Sequence, residues 1–329
     1  MMEMQIRPWR LLTGVVAGLF VLVQPAVGGT VPFQKWVEEL HRESEAQGIR
    51  PSTLKSALGA LKLLPRVVEL DRKQPEFTLT YRQYMDRVVP TARVEKGRQL
   101  FRKNRALLDE VGAKFGVQPR FLVAFWGIES DFGRLTGGFP VIHALATLAY
   151  DGRRGTYFRG ELINALKILD GGHIKLAKMS GSWAGAMGQS QFMPSSFLAY
   201  AVDYDGDGRK DIWNTKADVF ASAANYLARV GWKGDQTWGR PVRLPEGFDA
   251  GLASLKVRKR LREWQDLGVR RTNGGDLPKR NLGASLVLAE GPGSPAFLVY
   301  ANYKAILKWN RSTFFALAVG SLAERIGGG

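Results

Sequence analysis

Residues 121–133, Phe-Leu-Val-Ala-Phe-Trp-Gly-Ile-Glu-Ser-Asp-Phe-Gly, are apolar on every side up to Ile128, and the apolar run ends on the carboxylate of Glu129. Pro119 stands where a first helical residue belongs and Gly133 lies just past the end, so the stretch predicts a short helix with no solvent face. Such a helix needs a packed domain around it. Its last turn holds Glu129, where desolvation and the negative end of the helix dipole both favour the protonated acid. A carboxylic acid still protonated near neutrality can act as a general acid. A Glu near a helix end also fits a surface position or half of an ion pair, so the rest of the chain has to decide.

At the N-terminus, Arg7 and Arg10 precede an apolar run at residues 11–23, followed by Pro25, Ala26, Val27, Gly28 and Gly29. This is the layout of an export signal, and the run is shorter than the roughly 20 residues that span a membrane. We expect residues 1–29 to be a signal peptide cut before Thr30, with an uncleaved anchor as the alternative. The 329 residues, 45% of them apolar, allow one large domain or two ordinary ones. The absence of cysteine removes disulfides, thiolate metal sites, a Cys nucleophile and a lipid-bearing Cys. A net charge of +17 asks for an acidic partner. With an export signal, that partner is cell-wall polymer or an anionic membrane surface rather than nucleic acid. The densest basic run, residues 256–262, reads as a solvated helix face. His41, His143 and His173 are scattered without ligand spacing, which argues against metal or Ser-His-Asp hydrolysis.

In chain order, Phe33, Trp36, Val37 and Leu40 recur at helical spacing, and one or two short helices follow over residues 51–64. Residues 69–90 read as irregular and polar, with Tyr81 and Tyr84 exposed for ring contacts. Residues 91–115 read as one long helix, 141–150 as a buried helix, and 157–169 as an amphipathic one. Residues 181–196 combine Gly181, Gly185 and Gly188 with Gln189, Gln191, Trp183 and Phe192. Close backbone approach, amides and stacking faces suit a carbohydrate cleft, although small residues also suit a tight helix crossing.

The run Asp203-Tyr-Asp-Gly-Asp-Gly-Arg-Lys-Asp211 has the start of an EF-hand calcium loop, but Asn214 occupies the twelfth position, where that loop needs a Glu. Asp218 could close it if residues 214–217 bulge out. Residues 218–230 read as helix, residues 284–289 and 296–300 as strands of a small α/β subdomain, and residues 312–326 again as helix.

Several blocks in this order resemble the B-type lytic murein transglycosylases: Gly127-Ile-Glu-Ser130, Ala144-Leu-Ala-Thr-Leu148, residues 181–196, residues 203–213, Ala224-Asn-Tyr226, and Asn302-Tyr303 through Asn310. The resemblance implies a mainly α, lysozyme-like (goose-type) catalytic core with an EF-hand-like calcium loop and a small α/β insertion near the C-terminus. We therefore expect a helical region at residues 30–250, the α/β subdomain at 251–301 and a helix completing the catalytic domain at 302–329.

By motif, the resemblance makes Glu129 the catalytic acid and then base. It places substrate contacts at Ser182, Gln191, Tyr226, Asn310, Tyr84, Arg153 and Arg154, and metal ligands at Asp203, Asp205, Asp207, Arg209 and Asp218. It implies structural calcium, no organic cofactor, and peptidoglycan glycan strands as substrate. Cell-wall synthesis or division proteins are further candidate partners, and nucleic acid is not. A periplasmic protein follows. Many relatives carry a lipid-bearing Cys that this chain lacks, so membrane attachment is not implied.

An ordinary glycosidase needs two carboxylates, whereas the implied reaction needs one, because the substrate supplies its own nucleophiles. A lysozyme-like muramidase and a non-catalytic, calcium-dependent wall-binding protein are the alternatives.

Overall fold

The computed structural model describes residues 31–73 and 79–328. The expected signal peptide at residues 1–29 lies outside them. Among the described residues no helix is long and apolar enough to cross a membrane.

The chain opens with helices α1 (Phe33–Ala46), α2 (Pro51–Leu58) and α3 (Pro65–Lys73). Of the stretch read as irregular, the described residues instead include the end of α3 and a further helix, α4 (Tyr81–Val88). Thr80 and Gln83 close a reciprocal capping box at its start, a signal that the polar composition had hidden. Tyr81 is buried rather than exposed, with its ring against Phe297 and Phe314. The expected long helix is broken at Asn104 into α5 (Thr91–Lys103) and α6 (Arg105–Phe115). Asn104 leaves helical geometry and donates its amide to the Leu100 carbonyl at 2.7 Å. An Asn side chain competes in this way with the backbone ladder.

Helix α7 (Pro119–Ser130) is buried at every position from Phe121 to Gly127. It is the axis of the domain, touched by α5, α6, α11 (Lys216–Arg229) and α14 (Thr313–Gly327). Beyond it, β1 (Phe139–Pro140) pairs antiparallel with β2 (Ser180–Gly181), flanking the helices α8 (Val141–Asp151) and α9 (Gly155–Asp170). Residues 182–193 are not a helix crossing but a compact loop between β2 and the next helix, with Met187 bridged to both Gly181 and Phe192. Gly188 sits at φ +64°, where an added Cβ would lie 2.6 Å from the Ile212 carbonyl oxygen. Helix α10 (Pro194–Tyr200) follows.

The later strands make an antiparallel sheet in the order β4 (Lys259–Arg260), β6 (Gly283–Leu288), β7 (Ala296–Val299), β3 (Gly239–Arg243), β5 (Arg270–Arg271). With α12 (Leu261–Asp266) it encloses a separate small core centred on Trp264, Leu286 and Leu298. The basic run at residues 256–262 is therefore no helix face: it holds β4 and only the first turn of α12. From β7 the chain enters α13 (Ala301–Trp309) and then α14, which returns to pack along α7.

The turn between α8 and α9 is pinned to α3 by charge. Asp71, 2% exposed, takes Arg153 Nε at 2.7 Å and Arg154 through a second oxygen. Burial works against its ionisation, but the two guanidiniums outweigh it and hold the carboxyl below its ordinary range. The stabilisation is present above the ordinary carboxylate pKa and is lost as pH falls through the lowered one. Asp71→Asn should cost about 1–3 kcal/mol at neutral pH in urea unfolding, with the gap to wild type closing in acid. An unchanged midpoint at neutral pH would contradict this.

Candidate active site

Helix α7 ends abruptly because Asp131 and Phe132 both take left-handed backbone, at φ 49° and 60°. Such conformations cost energy for residues with side chains and persist where the surroundings enforce them. Ser130 supplies part of that enforcement. Its hydroxyl donates to the Gln189 carbonyl at 2.8 Å and accepts the Gly133 N–H at 3.0 Å. The Gln189 side chain accepts from Trp126 Nε1 and donates to the Trp213 carbonyl, both at 2.7 Å. One buried amide thus ties the end of α7 to the residue 182–193 loop and to the exit of the acidic loop.

Glu129, one residue before the end of α7, is half-buried. The crevice beside it, lined by Leu122, Phe125, Trp126, Val219, Phe220 and Trp309 among others, encloses about 10 Å3, at the lower limit of what a single water needs. The Glu129 pKa is raised to about 8, with burial as the dominant cause. A hydrogen bond from Trp309 Nε1 to Glu129 Oε1 at 2.7 Å pulls the other way, because an indole can only donate and so favours the ionised carboxylate.

Trp309 is held by rings from three elements: Phe125 at 4.5 Å, Phe192 at 5.2 Å and Tyr226 at 4.7 Å between centroids. No other carboxylate lines this crevice. Asp131 is turned to Arg134 at 2.7 Å and to Arg93 at 3.5 Å.

The remaining predicted residues fall into two groups. Ser182, Gln191, Tyr226 and Asn310 lie on the loop and helices that frame Trp309. Ser182 Oγ accepts the Ala186 N–H at 3.0 Å, leaving its own O–H to donate. Gln191, at φ 47°, donates its amide to the Thr136 and Gly188 carbonyls. Tyr226 is 8% exposed and its hydroxyl donates to the Lys308 carbonyl at 2.7 Å, which fixes the end of α13 on which Trp309 sits. Asn310 is exposed, its carbonyl oxygen capping Ser312 N at 2.9 Å. Tyr84 stands apart on α4, its ring 5.5 Å from Phe314, and Arg153 and Arg154 stand apart on their Asp71 clamp. Trp309, Gln189 and Ser130 carried no assigned role in the sequence. Trp309 directly precedes Asn310, so its block pointed at it, but the bond to Glu129 joins residues 180 positions apart.

Carboxylate oxygens of Asp203, Asp205 and Asp218 lie within 4.8 Å of one another. Asp218, fully buried in the first turn of α11, accepts from Tyr204 N and Asp211 N, both at 2.7 Å. Burial raises its pKa, and the neighbouring Asp205 and Asp203 charges add to that. Three converging acids with one buried are costly unless a cation joins them, and an all-oxygen donor set suits a hard one. Asp207 points elsewhere, paired with the Arg209 guanidinium at 2.8 Å, while Asn214 turns back onto Asp211.

A helical core with one acid at the end of its buried axis, a short β ribbon beside it and an aromatic, amide-bearing loop facing the acid defines a lysozyme-like fold. A transglycosylase SLT domain model matches residues 32–324. The chain belongs to the B-type lytic transglycosylase family.

It is 32% identical over 255 residues to membrane-bound lytic murein transglycosylase B of Escherichia coli, a match covering 74% of this chain and 66% of that protein. The crystal structure of SltB3 from Pseudomonas aeruginosa with NAG-NAM-pentapeptide superposes with a TM-score of 0.88 at 46% identity, covering 90% of this chain and 80% of that one. SltB3 with NAG-anhNAM-pentapeptide gives 0.87 at the same identity and coverage. The Escherichia coli lytic transglycosylase Slt35 in complex with calcium gives 0.72 at 26% identity, covering 90% and 92%.

Because the folded pKa of Glu129 lies above its ordinary 4.5, ionisation costs the folded state more than the unfolded one. Wild type should lose stability relative to Glu129→Gln as pH rises from about 5 to about 8, by on the order of 4 kcal/mol at the upper end. Trp309→Phe, which removes the bond to the ionised form, should widen the pH-dependent part of that loss. Parallel stability profiles for wild type and Glu129→Gln would contradict the assignment.

Proposed function

We propose that the protein cleaves the MurNAc-(β1,4)-GlcNAc bond of peptidoglycan without water, leaving a 1,6-anhydro-MurNAc end. The observation that carries this reading is the solitary Glu129, raised in pKa and with no second carboxylate in its crevice. Hydrolysis by paired carboxylates needs a second acid, and none lines this crevice. The relatives' names and the sugar complexes of SltB3 support the same reading.

Protonated Glu129 gives its proton to the bridging oxygen as the C1–O bond breaks, and the muramyl N-acetyl carbonyl takes up the positive charge at C1. Glu129 is then ionised, the state that the Trp309 N–H stabilises. It accepts the proton of the sugar's own 6-hydroxyl while that oxygen bonds to C1. The acid is restored and no water is consumed. One carboxyl thus serves twice, so a pKa close to the working pH suits both halves. The free O–H of Ser182 orients the N-acetyl group, and Gln191, Tyr226 and Asn310 position the rings. Tyr84 and the outward N–H groups of Arg153 and Arg154, which remain 49% and 42% exposed on their clamp, meet more distant parts of the glycan. The arginines suit the acidic lactyl or peptide portions. This substrate puts the protein on the wall side of the membrane, in the periplasm.

We propose further that Asp203, Asp205 and Asp218, with the Arg209 backbone carbonyl and Asp207 released from its ion pair, hold a structural calcium ion. The ion neutralises the buried Asp218 cluster and takes no part in the proton steps.

Glu129→Gln should abolish release of anhydromuropeptides from isolated peptidoglycan, read by mass spectrometry. Undiminished release would overturn the assignment, and reducing-end sugars from wild type would identify a muramidase. Calcium should raise the melting temperature against chelator, and Asp203→Ala should remove the increment. A melting temperature indifferent to calcium would remove the metal from the reading.

A further inference from the structure

The small sheet carries a hollow of about 470 Å3 that none of the chemistry above uses. Its floor is apolar, made by the buried Leu261 and Leu277. Its walls are tied together, because the Leu277 N–H donates to Gln265 Oε1 of α12 at 2.7 Å. Leu261 points into the small core, so its neighbours Arg260 and Arg262 project outward at the rim. Lys279 also lines the hollow and is exposed.

Among the described residues, the side chains of Arg262, Lys279 and Asp266 make no hydrogen bond or ion pair, whereas Arg260 caps α12 together with Glu263. Neighbouring charges do have partners: Arg270 faces Asp276 and Arg280 faces Asp235, each at 3.7 Å. The hollow therefore offers two uncommitted cations, one uncommitted carboxylate and an apolar floor.

We propose that this hollow binds the peptide branch of the wall polymer, a short peptide with free carboxylates and a free amine. The inference rests on the reading of peptidoglycan as the substrate. The Arg262 guanidinium and the Lys279 ammonium take the carboxylates, with forked geometry available at Arg262. Asp266 takes the amine. A lipid surface fits less well, since it is flat and uniformly anionic while this site is concave and holds its own carboxylate. A phosphate polymer meets the same repulsion. A second grip outside the cleft raises the local concentration of glycan at Glu129 without adding a contact to the reacting sugars.

The test is calorimetric titration of the full chain carrying Glu129→Gln. The probe is a sugar-free stem pentapeptide with at least two free carboxylates and a side-chain amine. Saturable binding is expected, weakened about tenfold or more by Arg262→Glu with Lys279→Glu. Asp266→Lys should weaken the same peptide but not its N-acetylated form. All three side chains are exposed, and unchanged melting temperatures confirm intact variants. Equal binding by the parent and the double variant would overturn the proposal. So would tighter binding after Asp266→Lys, or binding of inorganic phosphate or phosphatidylglycerol vesicles but not of the peptide. The probe lacks sugars and the assay involves no turnover, so a failed glycan-cleavage reading would leave this result standing and separable.

Discussion

One carboxyl group kept almost dry at the end of a buried helix is the constraint around which the domain is arranged. Burial favours the protonated form of Glu129. The indole of Trp309 returns part of the lost solvation, and it does so only to the ionised form. The opposition of these two effects brings the group to a pKa at which both protonation states are within reach, as a single acid and base requires.

Holding that balance is a packing problem. Trp309 arrives from α13, at the far end of the chain from α7, and its position depends on Phe125, Phe192 and Tyr226, with the Tyr226 hydroxyl fixing the neighbouring Lys308 carbonyl. The other wall depends on Gln189, which joins Trp126, Trp213 and Ser130. The acidic loop enters through the same amide, so its order and the placement of Glu129 share a mechanical connection. Strain concentrates where these parts meet: the non-glycine residues with left-handed backbone among those described are Asp131, Phe132 and Gln191, all at this junction.

Much of this was legible in sequence because the signals were local. Pro119, the apolar run and the isolated acid predicted α7 and its carboxyl together, and spacing alone put Asp218 within reach of Asp203 and Asp205. The break at Asn104 was masked because the apolar period continues across it, while the decision rests on one side-chain amide bonding to Leu100. Helix α4 was hidden by polar composition, its stability coming from a cap and from Tyr81 packing on distant rings. The partnership of Arg153 and Arg154 with Asp71, and that of Trp309 with Glu129, join segments roughly 80 and 180 residues apart, and no periodicity reports such pairs.

The most direct measurement is a titration of the Glu129 side-chain carboxyl by carbon-13 NMR, with the Glu129→Gln spectrum identifying its resonance. A midpoint near the value of about 8 set by burial and the indole bond is the predicted result. A midpoint near the ordinary 4.5 would mean that the carboxyl is solvated and ionised at neutral pH, and a single group could not then begin the reaction as its acid.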